Sequence, residues 1–355
     1  MLKKFIIATA IFSLCLISCR QESGYIAISG YAQGGTYTVK LNLDGDNGRI
    51  RTSPEEIKTA IDSIFNVIDT TLSGYNKGSM ITRFNQGRKI VPNEMFKDIY
   101  AASYGFWQET EGLLDVASGK LFDLWGFGFT NDEMPDQEQI STILDKIGMK
   151  HLQNGIIPNE DGSFTAEELL AEGHEEAEIP VLNYNAIAQG YSCDLIADYL
   201  YSLGVKDMLV EVGEIYCDGV NPNGQGWSIG VDRPVDGNND PGKMLQAVWQ
   251  SDGKSHGVVT SGNYRKFYIK DGKKYSHTIN PVTGWPVQHN LLSATIIADD
   301  AMTADAYATY CMVLGLEEAK KFIESKEGIE GYLIYGEGEN MKEWWSEGFQ
   351  IKQMD

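Results

Sequence analysis

The sequence predicts an α+β fold in which mixed sheets and helices form a single compact body, either undivided or shaped into two lobes. Apolar residues recur at helical spacing after Ser53-Pro54, at positions 57, 61, 64, 65 and 68, and predict an amphipathic helix. A run of apolar and β-branched residues at 291–298 predicts a strand. The 355 residues contain no repeat period and no long internal linker, so we expect one domain after the N-terminal segment.

Turn formers and periodicity place the remaining elements. Tyr25 to Leu43 alternates around a glycine pair and predicts the first strand, and Ser53 with Pro54 supplies a helix cap and a first helical position. We expect helices at about 92–109 and 136–148, a helix ending near 203, strands within 207–230, a helix carrying Asp305 and Thr309, a helix near 317–325 and a strand at 331–335. The acidic run at 167–178 indicates a solvated face or loop.

The first nineteen residues form a targeting segment. Lys3 and Lys4 precede an apolar stretch, Phe5 to Ile17, that is too short for a convincing membrane span. The stretch ends in Leu-Ile-Ser-Cys19, which resembles the bacterial lipobox, where the signal is cut before a cysteine that receives lipid. An ordinary signal peptide with an incidental cysteine is the alternative.

The lipobox interpretation divides the chain into a signal peptide at 1–18, a lipid-anchored linker at 19–30 and a folded domain at 31–355. We expect the mature protein to be exported and anchored through Cys19 to a bacterial membrane, facing the periplasm. The formal net charge of −21 argues against nonspecific nucleic-acid binding. Cys193, Cys217 and Cys311 show no CxxC spacing, so neither a disulfide framework nor a zinc site is indicated.

Asp305 and Thr309 lie four residues apart on a predicted helix, which places a carboxylate and a hydroxyl on one face. Both are hard oxygen ligands of the kind that Mg²⁺ accepts. A structural interpretation is also available, with Asp305 in the first turn at the helix dipole and Thr309 bonding back to a carbonyl. On spacing alone the structural interpretation is favoured, because such pairs are common on helices.

Several common chemistries lack their motifs. The sequence has no GxGxxG after a strand, no GxxxxGK[ST], no HExxH and no GxSxG, which leaves dinucleotide-fold, P-loop, zincin and serine-hydrolase interpretations without support. Among five histidines, His277 is notable because its predicted strand leads into the turn at 280–284, upstream of Asp305. A lone histidine on a strand is more often structural. Residues 181–191 combine a strand-like end, small residues and a helix start, where backbone groups can approach a ligand.

Eight segments together resemble the ApbE family, whose members are FAD:protein FMN transferases. The segments are GGTYTVK (34–40), LSGYNKGSMITRFN (72–85), GLLDVASGKLFDLWGFG (112–128), NAIAQGYSCD (185–194), LVEVGEIYCDG (209–219), TSGNYRKFY (260–268), YSHTINPVTGWPV (275–287) and ADAYAT (304–309). Each segment alone is weak evidence for the family. In this order and behind a lipobox they are specific, and they favour the metal interpretation of Asp305 and Thr309.

The resemblance implies an α+β enzyme that binds FAD, with Mg²⁺ at the pyrophosphate. It implies transfer of FMN to a Thr or Ser hydroxyl of a target flavoprotein, with release of AMP. In known members the targets are membrane redox-pump subunits. It further implies that the side chains of Asp305 and Thr309 and the backbone carbonyl of Ala186 hold the metal, so these three groups should lie about 2.0–2.6 Å from a shared ion.

The resemblance also implies residues that contact the flavin or the nucleotide. These are Gly35, Tyr75, Leu113, Leu114, Asp115, Asn183, Gln189 and His277. We hypothesise that His277 or Asp305 assists removal of the proton from the acceptor hydroxyl, which makes both candidate catalytic residues.

Two other functions remain open from the sequence. With water in place of the acceptor hydroxyl, the same site would be an FAD pyrophosphatase that yields FMN and AMP. A non-catalytic lipoprotein that stores or delivers FAD is the second alternative, because Asn183 and Gln189 stand where the family usually has Asp and Lys.

Overall fold

A computed structural model describes residues 24–45, 48–127, 134–174, 176–235, 238, 242–264, 267–270 and 273–352. The predicted signal peptide and the lipidation residue Cys19 lie outside these ranges. No helix within them is both long and apolar enough to cross a membrane.

Within the described ranges, the strands form one large sheet and three small ones. In chain order they are β1 (Tyr25–Ala32), β2 (Gly35–Asn42), β3 (Asp44–Gly45), β4 (Gly48–Arg49), β5 (Met208–Val212), β6 (Glu214–Asp218), β7 (Ser228–Asp232), β8 (Leu245–Gln250), β9 (His256–Gly262), β10 (Phe267–Lys270), β11 (Lys273–Ser276), β12 (Leu291–Ala298), β13 (Glu330–Glu337), β14 (Asn340–Trp345) and β15 (Ile351–Lys352). The main sheet has the order β1-β2-β5-β6-β9-β12-β13-β14, and every neighbouring pair in it is antiparallel. A second sheet has the order β15-β8-β7, and β10-β11 and β3-β4 are isolated pairs.

Most of the helices pack on one face of the main sheet. The helices are α1 (Pro54–Leu72), α2 (Met80–Asn85), α3 (Glu94–Glu109), α4 (Gly119–Leu124), α5 (Gln137–Leu144), α6 (Ala188–Ser202), α7 (Ala301–Leu314) and α8 (Leu316–Ser325). Helices α4 and α5 pack on each other in a separate small core with Leu121 and Ile140. The largest hydrophobic core lies between helices and sheet, and includes Val39, Ile61 and Ile296. The three-stranded sheet covers the opposite face through a second core that includes Trp249 and Ile297. The α+β prediction is therefore confirmed, as three layers in one body.

Both faces of β12 are covered, which explains its sequence. Ile296 faces the helical core and Ile297 faces the small sheet, because successive side chains of a strand point to opposite faces. A strand buried on both sides has no reason to alternate apolar and polar residues. The predicted bounds of 291–298 are those observed.

Local signals place the helix starts. The Ser53 hydroxyl accepts a hydrogen bond from Glu56 N at 3.2 Å and the Glu56 carboxylate accepts one from Ser53 N at 2.8 Å, which forms a capping box. The predicted helix at 92–109 begins two residues later, at Glu94, because Asn93 is its cap. In its described residues, the acidic run at 167–178 is loop apart from one 3₁₀ turn at Glu167–Leu169 and a single bridge at Leu170.

Two sequence predictions need correction. The predicted linker at 19–30 overlaps β1, so the folded body includes Tyr25 to Gly30 and does not start at residue 31. The physical reason is that this segment pairs along its whole length with β2 and buries Ile28 in the helical core. His277 lies just beyond β11, which ends at Ser276, and not within a strand. It begins the turn that carries Asn280 to Gly284.

Gly257 allows β9 to contact the start of α7, and its replacement tests how closely these elements pack. A Cβ at Gly257 would lie 2.3 Å from the carbonyl carbon and oxygen of Asp300, which are backbone atoms and cannot rotate away. We expect Gly257→Ala to lower the free energy of unfolding by about 1–3 kcal/mol, as overpacking does. Urea denaturation measures this change.

Gly105→Ala is the matched control. Gly105 lies on the exposed side of α3, and a Cβ there would meet no atom within 4 Å. We expect this variant to be stabilised by roughly 0.5–1 kcal/mol, because alanine favours helix over glycine. Equal stability of the two variants would contradict the close contact at Gly257.

A candidate active site at the meeting point of two helices

One cavity of about 320 Å³ gathers residues from most of the segments that the sequence singled out. Its lining comes from the loop after α1, the loop after α3, the start of α6, the start of β6, the end of β9, the turn after β11 and one face of α7. The predicted site residues among its lining are Tyr75, Leu113, Leu114, Asp115, Asn183, Ala186, Gln189, His277, Asp305 and Thr309. Gly35 is not among them, because it begins β2 in an exposed hairpin.

Asp305 and Thr309 lie on the face of α7 that lines the cavity, together with Met312 and Val313. Positions i, i+4, i+7 and i+8 share one side of a helix, as the four-residue spacing predicts. Asp305 does not lie in the first turn of α7, as the structural interpretation expected, because Asp300 is the cap and Asp305 lies in the second turn. The Thr309 hydroxyl lies 3.3 Å from the Ser261 hydroxyl at the end of β9.

The carboxylate of Asp305 is buried and faces the start of α6. Its Oδ2 accepts a hydrogen bond from Gly190 N at 3.1 Å, and only 5% of the residue is exposed. Burial raises the pKa of Asp305 well above its usual range, and the negative charge of Glu214 raises it further. The positive end of the α6 dipole acts in the opposite direction. Asp305 therefore caps α6 from a neighbouring helix.

The start of α6 brings backbone groups to the cavity. Asn185, Ala186 and Gln189 line it, and the helix has no side-chain cap of its own at Ile187. The Gln189 side chain donates to the Val212 carbonyl at 3.2 Å, beside the one-residue turn at Gly213 that joins β5 to β6. Gly213 has a φ of 83°, and a Cβ there would lie 2.5 Å from Gln189 Nε2. Glycine is therefore required at this turn, both for its φ and for space.

The arrangement fits a hard divalent cation. Ala186, Asp305 and Thr309 line one cavity, and a backbone carbonyl, a carboxylate and a hydroxyl are oxygen donors of the kind that Mg²⁺ takes. The negative charge of Glu214 adds to the effect of burial in raising the pKa of Asp305, and a cation would act in the opposite direction. Across the described ranges no three His, Cys, Asp or Glu side chains group as a metal site, and the predicted set contains only one such side chain.

Asp115 is held by backbone amides at the edge of the cavity. Its carboxylate accepts hydrogen bonds from Ala117 N at 2.8 Å and from Met149 N at 3.0 Å. Asn183 lies alongside, since its backbone N–H donates to the Val116 carbonyl at 2.8 Å. The Asn183 side chain accepts from Asn185 N at 3.0 Å, so it shapes the chain just before Ala186.

The loop after α3 is tied to α7. The Tyr307 hydroxyl donates to Glu109 at 2.8 Å, and Lys326 pairs with the same carboxylate. Glu109 is the last residue of α3, directly before the loop that carries Leu113 and Leu114. The hydrogen bonds of Lys326 and Tyr307 hold the pKa of Glu109 below its usual value despite the opposing effect of burial.

Several polar cavity residues were not predicted as site residues, among them Glu214, Thr260 and Ser261. These three residues line the cavity from the ends of β6 and β9. Their segments carried the family resemblance, but their side chains had no motif of their own. The signal that would have found them is the pairing of β6 with β9, which places both strand ends beside α7. Strand pairing is a tertiary property that a single segment does not show.

Comparison with known proteins identifies the family of this chain. The ApbE family profile matches residues 34–333, which is most of the chain. The chain belongs to the ApbE family. The matched region contains every residue assigned to the site except the lipidation residue Cys19.

Curated relatives of this ApbE-family chain are enzymes named FAD:protein FMN transferase. The protein of Escherichia coli (strain K12) is 35% identical over 306 residues, covering 83% of this chain and 81% of the relative. The protein of Haemophilus influenzae is 31% identical over 336 residues, covering 93% and 91%. The apo form of Pseudomonas stutzeri flavinyl transferase ApbE superposes with a TM-score of 0.75 at 30% identity, covering 92% of this chain and 95% of that chain. The ApbE fold is thus shared.

The raised pKa of the partly buried Asp115 should make stability depend on pH in this ApbE-family chain. Burial raises its pKa from 3.8 to about 6, against the hydrogen bonds from Met149 and Ala117. Because the folded state holds the proton more tightly, the contribution of Asp115 to stability is fully present below pH 3.8 and is lost as pH rises through about 6. A shift of about two units corresponds to roughly 3 kcal/mol.

Asp115→Asn provides the comparison, because asparagine does not titrate. The free energy of unfolding of wild type minus that of the variant should fall by roughly 3 kcal/mol between about pH 4 and pH 7. The measurement is urea denaturation in the absence of FAD and Mg²⁺. A difference that stays constant over this interval would show that Asp115 titrates normally.

Proposed function

We propose that this chain transfers FMN from FAD to a Thr or Ser hydroxyl of a target flavoprotein, with Mg²⁺ bound and with release of AMP. The observation that carries the proposal is the convergence of ten predicted site residues, from separate segments, on one cavity. The relatives named FAD:protein FMN transferase support the same reaction.

The residues of the cavity divide into binding and reacting groups. Leu113 and Leu114 supply an apolar wall, and Asn183 and Gln189 supply polar groups. The N-terminal end of α6 adds the partial positive charge of its helix dipole. Ala186, Asp305 and Thr309 would hold Mg²⁺, which would neutralise pyrophosphate charge. This matters because a protein of net charge −21 gives an anionic substrate no general attraction.

The reaction is a phosphoryl-group transfer. The acceptor oxygen forms a bond to the phosphorus of the FMN half of FAD, and the bond from that phosphorus to the bridging oxygen breaks. AMP leaves with the bridging oxygen, and the acceptor proton passes to a base. His277 lines the cavity and its imidazole can accept a proton, while the buried carboxyl of Asp305 is the second candidate.

A protein acceptor can reach the cavity from the surface. Tyr75 lines the cavity and is 74% exposed, and Val282, next to the lining residue Pro281, is 58% exposed. The cavity therefore opens between the loop after α1 and the turn after β11. Exposed apolar residues at such an opening suit contact with another polypeptide. We expect a membrane redox-pump subunit as the target.

We further propose that the mature protein is anchored by lipid at Cys19 and faces the periplasm. The lipobox at 16–19 supports this proposal. The first strand begins at Tyr25, so only five residues separate the lipid-bearing cysteine from the folded body. The domain would lie close to the membrane surface and to a membrane-embedded target.

An acceptor assay tests the reaction. We expect the mature protein, incubated with FAD, Mg²⁺ and a peptide bearing an acceptor Thr, to yield peptide with covalent FMN and free AMP, as measured by mass spectrometry. Asp305→Ala and EDTA should each abolish AMP release, because the metal loses its carboxylate or is removed. His277→Ala should slow transfer by roughly 10²–10⁴-fold, as loss of a general base does.

The same assay discriminates the alternatives. Free FMN and AMP with unmodified peptide would identify a pyrophosphatase, and intact bound FAD would identify a storage protein. A peptide with Ala in place of Thr controls for noncovalent flavin. Transfer at the wild-type rate by His277→Ala would exclude the histidine as the base.

Cys19→Ser tests the anchor. We expect the variant to move from the membrane fraction to the soluble fraction of cells, because the lipid attachment is lost, as measured by immunoblotting after fractionation. Cys15→Ser is the matched control and should remain in the membrane fraction, since Cys15 lies within the cleaved signal. Membrane retention of Cys19→Ser would contradict lipid anchoring.

A further inference from the structure

Asp194 makes two hydrogen bonds that the proposed reaction does not explain. It lies on α6, and its Oδ1 and Oδ2 accept from Ala301 N and Met302 N of α7, each at 2.8 Å. These are the first two amides of α7, which have no carbonyl partner in their own helix. Asp194 is not among the residues that line the cavity.

These bonds are more than an ordinary helix cap, because α7 already has one. The Asp300 carboxylate accepts from Thr303 N at 2.7 Å and from the Thr303 hydroxyl at 2.8 Å. A cap from the same chain segment satisfies donors but leaves the helix free to shift against its neighbours. A carboxylate from another helix satisfies donors and also fixes the relative position of the two helices.

A second contact lies one turn away on the same face of α6. Gly190 N donates to Asp305 Oδ2 at 3.1 Å, and residues 190 and 194 are four apart. A Cβ at Gly190 would lie 2.2 Å from the Ala301 carbonyl oxygen, so the helices meet with almost no gap. This close approach at Gly190 sets the distance between the two helices. Their relative position along the helix axes depends on directional hydrogen bonds.

The proposed metal ligands lie on both sides of this contact. Ala186 comes just before α6, and Asp305 and Thr309 belong to α7. We propose that Asp194 is a positioning residue that holds α7 against α6 in the register that brings the Ala186 carbonyl to Asp305 and Thr309. The inference rests on the proposed Mg²⁺-dependent function, and it assigns Asp194 an effect on metal affinity without contact with substrate.

Asp194→Asn tests this role. Asparagine keeps one acceptor oxygen but places an NH₂ group against one of the α7 amides, so one of the two bonds is lost. We expect the Mg²⁺ dissociation constant, measured by calorimetry with FAD present, to rise at least about 10-fold, as changes behind metal ligands do. The Mg²⁺ concentration for half-maximal AMP release should rise in parallel, and saturating Mg²⁺ should restore most of the rate.

Asp300→Asn is the matched control. It removes the same charge from the same end of α7, but asparagine is itself a good cap. We expect its Mg²⁺ affinity to stay close to that of wild type. Equal Mg²⁺ affinities for wild type and both variants, or equal losses in both variants, would overturn the role of Asp194. An absence of Mg²⁺ binding by wild type would instead contradict the proposed metal site.

If the Asp194→Asn protein does not fold, the Asp194→Glu variant tests the same role. Glutamate keeps both acceptor oxygens and the charge but is longer by one methylene group, so it displaces α7 from α6. Its Mg²⁺ affinity should also fall below that of wild type. Wild-type affinity in a folded Asp194→Glu protein would overturn the proposal.

Discussion

The site depends on an exchange of carboxylates between two helices. Asp194 of α6 accepts from the first amides of α7, and Asp305 of α7 accepts from the first turn of α6. Each helix thus satisfies amides at the start of the other, where its own residues leave donors unpaired. Gly190 makes this possible, because any side chain there would meet the α7 backbone. The proposed metal ligands are carried by the two elements that this exchange joins.

The charges around the cavity restrict which ligands it can bind. The protein is strongly acidic, and the cavity adds buried carboxyl groups whose pKa values burial raises. An anionic pyrophosphate would not enter such a place without local positive charge. The N-terminal end of α6 supplies part of it through backbone dipoles, and a bound divalent cation would supply the rest. Local charge, and not the net charge of the chain, therefore decides what this cavity binds.

The layers of the fold serve the site in different ways. The main sheet is covered on both faces, so the ends of β6 and β9 are held rigidly where Glu214 and Ser261 line the cavity. Each loop that completes the cavity is held in place by hydrogen bonds to a neighbouring segment. Asp115 accepts from Met149 N, and Tyr307 donates to Glu109 beside the loop after α3. A rigid scaffold with loops fixed by a few bonds is a common way to hold a binding site.

The sequence by itself determined the elements whose signals are local. It predicted β12, the capped helix at Ser53, the helix with Asp305 and Thr309 on one face, and, through motifs in a characteristic order, the family. It did not show the start of β1, the place of His277 outside a strand, or the role of Glu214, because each depends on strand pairing. Nor did it show that Asp305 faces the start of α6 and not the start of its own helix. Contacts between residues more than a hundred positions apart, such as Gly190 with Asp305, are decided only when the helices pack, because no local propensity encodes them.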